Sequence, residues 1–307
     1  HGYVGTPLLG KYGTDEPEVA KQHIDWAHEG GIDAFVVSWW GPKHMAARHM
    51  KAGLLKAPNI DKIRFTFIYE SFGRLDAADG ERDSHIDFAK PAVLKQFTDD
   101  MAHLSDTYFS HPSYLNMKGR PVVVIYLTRT FQNFERKHIE EMEKAIGVDL
   151  HLIADEAFIH AQSDPKTARN VFDDKGQPLF DAYTAYNMFE DANVHEGESA
   201  QAFMQREAKP VFEKWAAATI FHPHVMPSYH DFRGHKVLSG GVKGWLKQLD
   251  DAKNLPMPKG AQSQRMIFIT SFNEWWEGTT IEPAQEYGSS YLKSLRRWVD
   301  LPINPSP

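Results

Sequence analysis

A chain of 307 residues that is 42% hydrophobic has apolar side chains enough for one large core, and its formal net charge of −7 comes with no basic stripe of the kind that binds nucleic acid. The absence of cysteine excludes disulfides, thiolate metal sites and a cysteine nucleophile. No apolar run in the sequence approaches the roughly 20 residues that cross a bilayer as a helix, so no membrane span is expected.

Gly2–Gly5 (GYVG) reads as the tail of a first strand that begins at or just upstream of residue 1. Since the chain starts at His1 rather than Met and shows no signal peptide, a removed or omitted upstream segment is expected. Glu16–Glu29 then sets Val19, His23, Ile24, Trp26 and Ala27 along one helical stripe. Ala34–Trp40 (AFVVSWW) and Phe65–Glu70 (FTFIYE) are strand-like runs, and the charged stretch 71–90 reads as a solvated loop. A helix over 91–106 precedes Pro121–Leu127 (PVVVIYL), the clearest strand, and a helix over 134–146 precedes His151–Ala154. Beyond the long loop 157–178 come a strand within Leu179–Asn187, the loop 188–198 and a helix over 199–216. Thr219–Ser228, a helix over 242–254, Met266–Phe272 and a helix over 287–299 complete the chain.

Continuous apolar runs alternating with helices predict parallel βαβ units, with strands buried on both faces. Seven strands from residue 34 onward and one at the start make eight, which predicts a (β/α)8 barrel forming a single domain over 1–307. An open doubly wound sheet is the alternative; it lacks a glycine-rich phosphate loop after the first strand. In a barrel the loops after the strands carry the active site.

The sharpest feature is SFNEWWEGTTIEPA over 271–284, where an apolar strand runs into Asn273, Glu274, two tryptophans and Glu277. In an extended strand Glu274 and Glu277 would point to opposite faces; a turn after Glu274, which Gly278 favours, lets both face one cleft. Paired carboxylates are what glycoside hydrolysis needs, one to protonate the leaving oxygen and one to stay charged near the oxocarbenium-like centre. Trp275 and Trp276 offer apolar surroundings that raise a carboxyl pKa, and Asn273 offers a hydrogen bond to a sugar hydroxyl. An ordinary strand end with solvated carboxylates is the other reading of the same residues.

The segment SFNEWWEGTTIEP resembles the SFNEW-x-EGT-x-IEP motif of glycoside hydrolase family 99, which contains endo-acting α-mannosidases and mannanases on a (β/α)8 barrel. GYVGTPLLGKYGT (2–14), GIDAFVVSWWGP (31–42) and FDAYTAYN (180–187) are similar to that family's first, second and sixth strand segments, in the expected order. The resemblance implies a retaining reaction through a 1,2-anhydro sugar, with Glu274 as base toward the 2-hydroxyl and Glu277 as general acid/base. It also implies an oligosaccharide or polysaccharide substrate, no cofactor and, from that substrate class, a periplasmic or secreted location. Three positions depart from the family pattern. Trp276 stands for its histidine, Trp39-Trp40-Gly41-Pro42-Lys43 for W-Y-P-P-G, and Thr280 for a glutamine.

Strand ends supply further candidates for substrate binding: Trp39 and Trp40, of which alternation lets at most one face inward, Tyr69 and Glu70, and Tyr126. Tyr186 and Asn187 are preferred over Tyr183 because they lie nearest the strand's C-terminal end. Tyr229, His230 and Asp231 follow the seventh run, and Asn273 and Trp276 flank the glutamates. His222, His224 and His230 invite a zinc reading, but no carboxylate–histidine pair accompanies them, so no metal is expected. A glycosidase for another polysaccharide, pairing Asp155 or Glu156 with Glu277, is one alternative. A non-catalytic glycan-binding or polysaccharide-assembly protein is the other. The sequence leaves the oligomeric state open.

Overall fold

The computed structural model describes residues 5–81, 83–186, 188, 193–230 and 237–300. Its centre is a parallel sheet in chain order. β1 (Ala34–Trp39) pairs with β2 (Arg64–Tyr69), then follow β3 (Arg120–Ile125), β4 (His151–Asp155), β5 (Ala182–Thr184) and β6 (Phe221–His222). Pro223, which has no N–H to donate, interrupts the next run. The chain resumes as β7 (His224–Val225), parallel to β8 (Phe268–Ile269). All seven strand runs expected from residue 34 onward therefore form, several of them shorter than the apolar runs that announce them. Of the expected first strand, residues 2–4, including Tyr3, lie outside the described set, and Gly5 is a bend.

Helices separate the strands: α1 (Pro17–Gly30), α2 (Met45–Ala52), α3 (Ser71–Asp79), α4 (Pro91–Leu104), α5 (Arg136–Ile146), α6 (Ala200–Phe203), α7 (Lys209–Ala218), α8 (Val242–Lys253) and α9 (Ser290–Asp300). A proline in the first turn opens α1. Its end is closed at Gly31, whose φ of +83° suits a glycine, with Ile32 N–H returning to Ala27 O at 2.9 Å. Helix α9 packs back on α1 and α8.

The expectation of a solvated loop over 71–90 is corrected by α3. The segment SFGRLDAAD has little apolar periodicity, and tertiary contacts hold it instead. Leu75 is fully buried, and Arg74 makes a two-pronged ion pair with the buried Asp100 of α4, at 3.0 and 2.7 Å. Helix α2 likewise lies in a stretch given no helix by periodicity.

Strand side chains alternate between two layers. One layer packs under the helices and holds Phe65, Phe67, Tyr69, Val123, Ile125, Leu152, Ala154 and Tyr183. The other is a smaller cluster of Val122, Val124, Ile153 and Ala182, against which Val36, Ile68 and Phe268 pack. Val36 of β1 and Phe268 of β8 thus both pack against this one cluster. Phe35 of β1 also meets Phe272 beyond β8, ring centroids 5.0 Å apart.

Candidate active site

The small inner cluster fixes which side chains can converge. Its parity, carried to the C-terminal ends of the strands, reaches Ser38, Glu70, Tyr126, Asp155 and Tyr186. These groups do meet. The Ser38 hydroxyl donates to Glu70 Oε1, and the Tyr126 and Tyr186 rings meet edge to face with centroids 5.9 Å apart. Asp155, fully buried, accepts from Tyr186 N–H at 2.7 Å and Leu127 N–H at 3.2 Å, tying the exits of β3, β4 and β5 together. Burial, opposed by the Ser38 hydrogen bond and reinforced by Asp155, pushes the Glu70 carboxyl up to about 7.

Tyr186 is the common neighbour. Burial first, and then the fields of Glu277, Glu274, Tyr126 and Glu70, hold its phenol well above the ordinary range. A hydroxyl that stays protonated beside three carboxylates is a permanent hydrogen-bond donor among acceptors.

The two glutamates of the E-x-x-E segment, whose fields act on this tyrosine, sit on a turn of the chain. After β8, Ser271 N–H donates to Thr279 O at 2.7 Å and the two hydroxyls lie 2.9 Å apart, closing the base of a loop. Within it Glu274 N–H donates to Ser271 Oγ (2.8 Å), Trp276 N–H donates to Glu274 Oε1 (3.1 Å), and Gly278 takes a φ of +60°. Residues 275–278 form the turn expected from Gly278. Burial raises the Glu274 carboxyl, opposed by the Trp276 N–H. From the far side, His230 N–H donates to Glu277 O at 2.7 Å and Ser228 Oγ to Gly278 O at 2.6 Å, so the exit of β7 braces the same turn.

The other candidates divide. Trp39 and Tyr69 belong to the outer layer. Trp39 is 1% exposed, stacked on Tyr69 at 5.8 Å with the Arg74 guanidinium over its ring, and Tyr69 donates to Asp100 at 2.9 Å. Placing these two among the substrate-binding residues is corrected by the alternation that puts Trp40 and Glu70 on the other side. Trp40 is 42% exposed and its indole N–H donates to Ser38 Oγ at 2.8 Å. Its ring lies on Gly73 of α3, where a Cβ would come 2.5 Å from Cζ3, which explains a glycine inside that helix. Trp276 is 47% exposed and Asn273 is exposed beside it. Tyr229 is buried and His230 exposed in a short antiparallel pair with Val237–Leu238. Asn187 and Asp231 lie outside the described residues.

Glu156, of the alternative catalytic pair, is fully buried against Thr128 Oγ1 (2.7 Å) and Asn170 N–H (3.3 Å) and has no exposed face to offer a substrate. Among the described residues no three His, Asp or Glu side chains converge as a metal site. His224 instead stacks on Phe268 and meets Thr270 Oγ1 at 2.6 Å. No described helix is long and apolar enough to cross a membrane.

Sequence reasoning assigned no role to Glu282, Tyr12 or Ser38. Glu282 stands inside the quoted I-E-P segment. A charged residue flanked by Ile281 and Pro283 in an apolar context was the available signal for a buried carboxylate.

The family model described as Glycosyltransferase WbsX matches residues 5–295. A mouse protein named glycoprotein endo-alpha-1,2-mannosidase-like protein is 23% identical over 334 aligned residues, covering 96% of this chain. The chain spans 64% of that relative's length. Among solved structures, a glycoside hydrolase-like protein superposes with a TM-score of 0.71 at 18% identity, over 98% of this chain and 90% of its own. The family 99 endo-α-mannosidase from Bacteroides thetaiotaomicron gives 0.65 at 21% identity, over 97% of this chain and 83% of its own.

Proposed function

We propose, because this chain belongs to the family described as Glycosyltransferase WbsX, that it acts at the anomeric carbon of α-mannoside-type linkages as a retaining, endo-acting glycoside hydrolase on a closed (β/α)8 barrel. One observation carries the reading: Glu274 and Glu277 sit on one turn at the exit of the last strand, both within electrostatic reach of Tyr186. The names of the mouse relative and of the Bacteroides structure support an endo-acting mannosidase.

In the first step Glu274 takes the proton of the sugar 2-hydroxyl and O2 attacks C1. The C1–O bond breaks as Glu277 gives its proton to the departing oxygen, leaving a 1,2-anhydro sugar. In the second, Glu277 takes a proton from water, the hydroxide oxygen bonds to C1 and the C1–O2 bond opens. O2 then recovers its proton from Glu274. Two inversions give net retention with no covalent enzyme intermediate. The raised Glu274 pKa makes it a stronger base than an exposed carboxylate, as this step requires. The Glu70 carboxylate and the Tyr186 hydroxyl face the same space as acceptor and donor for sugar hydroxyls.

The test is NMR of the products from a panel of α-mannans and α-manno-oligosaccharides. Oligosaccharides whose new reducing end first appears as the α-anomer are expected. A substrate methylated at the reacting O2 should remain intact. First-formed β-anomers, or cleavage of the methylated substrate, would sink the proposed route. The family's own description favours a second reading, in which a sugar hydroxyl replaces water in the second step; products longer than the substrate would show it.

Trp40 presents an indole face at the mouth of β1 that suits the apolar C–H face of a sugar ring. Because Gly73 leaves the room that ring occupies, Gly73→Ala is expected to displace it. The predicted result is a rise in KM of about tenfold, ~1.4 kcal/mol, with kcat within about twofold. An unchanged KM in steady-state kinetics would remove Trp40 from the binding surface.

A further inference from the structure

Glu282 is fully buried, yet its carboxylate takes no part in the chemistry proposed above. Its partners come from three places in the chain. The Tyr12 hydroxyl donates to Oε2 at 2.7 Å, the Trp275 indole N–H donates to the same oxygen at 3.0 Å, and His23 Nε2 of α1 lies 3.2 Å from Oε1. Its backbone N–H is held as well, by Thr280 Oγ1 at 3.1 Å. Burial, and then the Glu282 carboxylate beside it, push the Tyr12 phenol well above its ordinary range, so it remains a donor to that carboxylate.

Trp275 is the informative partner. It stands between Glu274 and Glu277, is 4% exposed and points away from the half-buried glutamates. Its six-membered ring lies against Gly5, where a Cβ would come 3.1 Å from Cζ3 and where φ is +106°. The indole is thus gripped at its N–H by Glu282 and at its edge by backbone that has no side chain. The turn carrying both glutamates is also held through its main-chain atoms, by Ser228 and His230.

We propose that Glu282 is a positioning residue: through Trp275 it anchors the turn from inside the protein and so fixes Glu274 and Glu277 in register with one another. The inference rests on the catalytic reading of that pair. Proximity catalysis is sensitive to this kind of anchoring, because displacement of a catalytic group by about 1 Å can cost about a hundredfold in rate. The loss falls on kcat, since the anchor lies away from the sugar-facing surface.

Three variants of the full chain test it. Trp275→Phe keeps an aromatic ring but removes the N–H given to Glu282 together with the ring edge that lies against Gly5. Glu282→Ala removes the anchor, and Glu282→Gln restores an acceptor for Tyr12 and Trp275 while its amide faces His23. With α-manno-oligosaccharides as substrate, Trp275→Phe and Glu282→Ala are expected to lose about 10- to 100-fold in kcat with KM within about threefold. Glu282→Gln should recover most of that loss. Amide hydrogen exchange, which needs no substrate, should speed up across 273–278 in the first two variants while β2–β4 keep their protection. Folded variants with unchanged exchange in that segment would overturn the proposal, as would a loss confined to KM or unaltered kcat. If the wild-type chain cleaves none of the panel, the catalytic reading fails, and the exchange pattern still decides whether Glu282 anchors the turn.

Discussion

Glu277→Gln is expected to lower kcat on an α-manno-oligosaccharide by roughly a thousandfold, within the 10²–10⁴ range typical of a lost general acid. Gln cannot give a proton to the departing oxygen or take one from water, so both steps suffer. Glu274→Gln removes the base toward the 2-hydroxyl and is expected to cost a similar factor. The double variant should be little worse than either single one, because the two groups act in one concerted step. Leaving-group dependence separates their roles. A mannosyl fluoride extended at its non-reducing end needs little protonation to depart, so Glu277→Gln should regain much of its first-step rate on it while Glu274→Gln should not. Single-turnover fluoride release measures this. Equal recovery in both variants would exchange or dissolve the assigned roles.

Conformational stability should peak near pH 5–6 and fall on both sides. His222 and His224 are buried, and burial depresses each imidazole to about 3, with His151 and Arg265 adding to the effect on His222 and His222 to that on His224. As pH falls from about 6.5 toward 3, the unfolded chain binds protons the folded chain refuses, and stability is lost. At full development that amounts to roughly 4–5 kcal/mol per histidine, a large part of the 5–15 kcal/mol that holds a typical domain. Glu156 acts in the opposite sense. Burial raises it to about 7, so between about pH 4.5 and 7 the folded chain keeps a proton the unfolded chain has released, and stability is lost as pH rises, by roughly 3 kcal/mol. Glu70, raised to about 7 as well, adds to this alkaline limb. Urea titrations from pH 3 to 8 should trace the dome. His222→Gln should flatten its acid limb and Glu156→Gln its alkaline limb. A stability that stays level between pH 6 and 4 would contradict the buried-histidine account.

By itself, the sequence determined where the strands lie and that two glutamates follow the last of them. β-Branched runs such as Val122–Val124 are local signals of strands buried on both faces, and they mark the strands from β1 to β8. The placement of Glu274 and Glu277 just past the last of these runs, with Gly278 to turn the chain, was legible for the same reason. Only the tertiary structure decided which face of each strand looks inward. Period-two alternation separates Trp39 from Trp40 and Tyr69 from Glu70 but does not say which is which; the choice is made by the inner cluster of Val122, Val124, Ile153 and Ala182, assembled across three strands. Helix α3 was hidden because its stability comes from Leu75 burial and the Arg74–Asp100 pair rather than from its own periodicity. The anchor at Glu282 was hidden because a buried carboxylate is defined by its partners, and Tyr12 and His23 stand about 260 to 270 residues earlier in the chain, at a separation no local pattern spans.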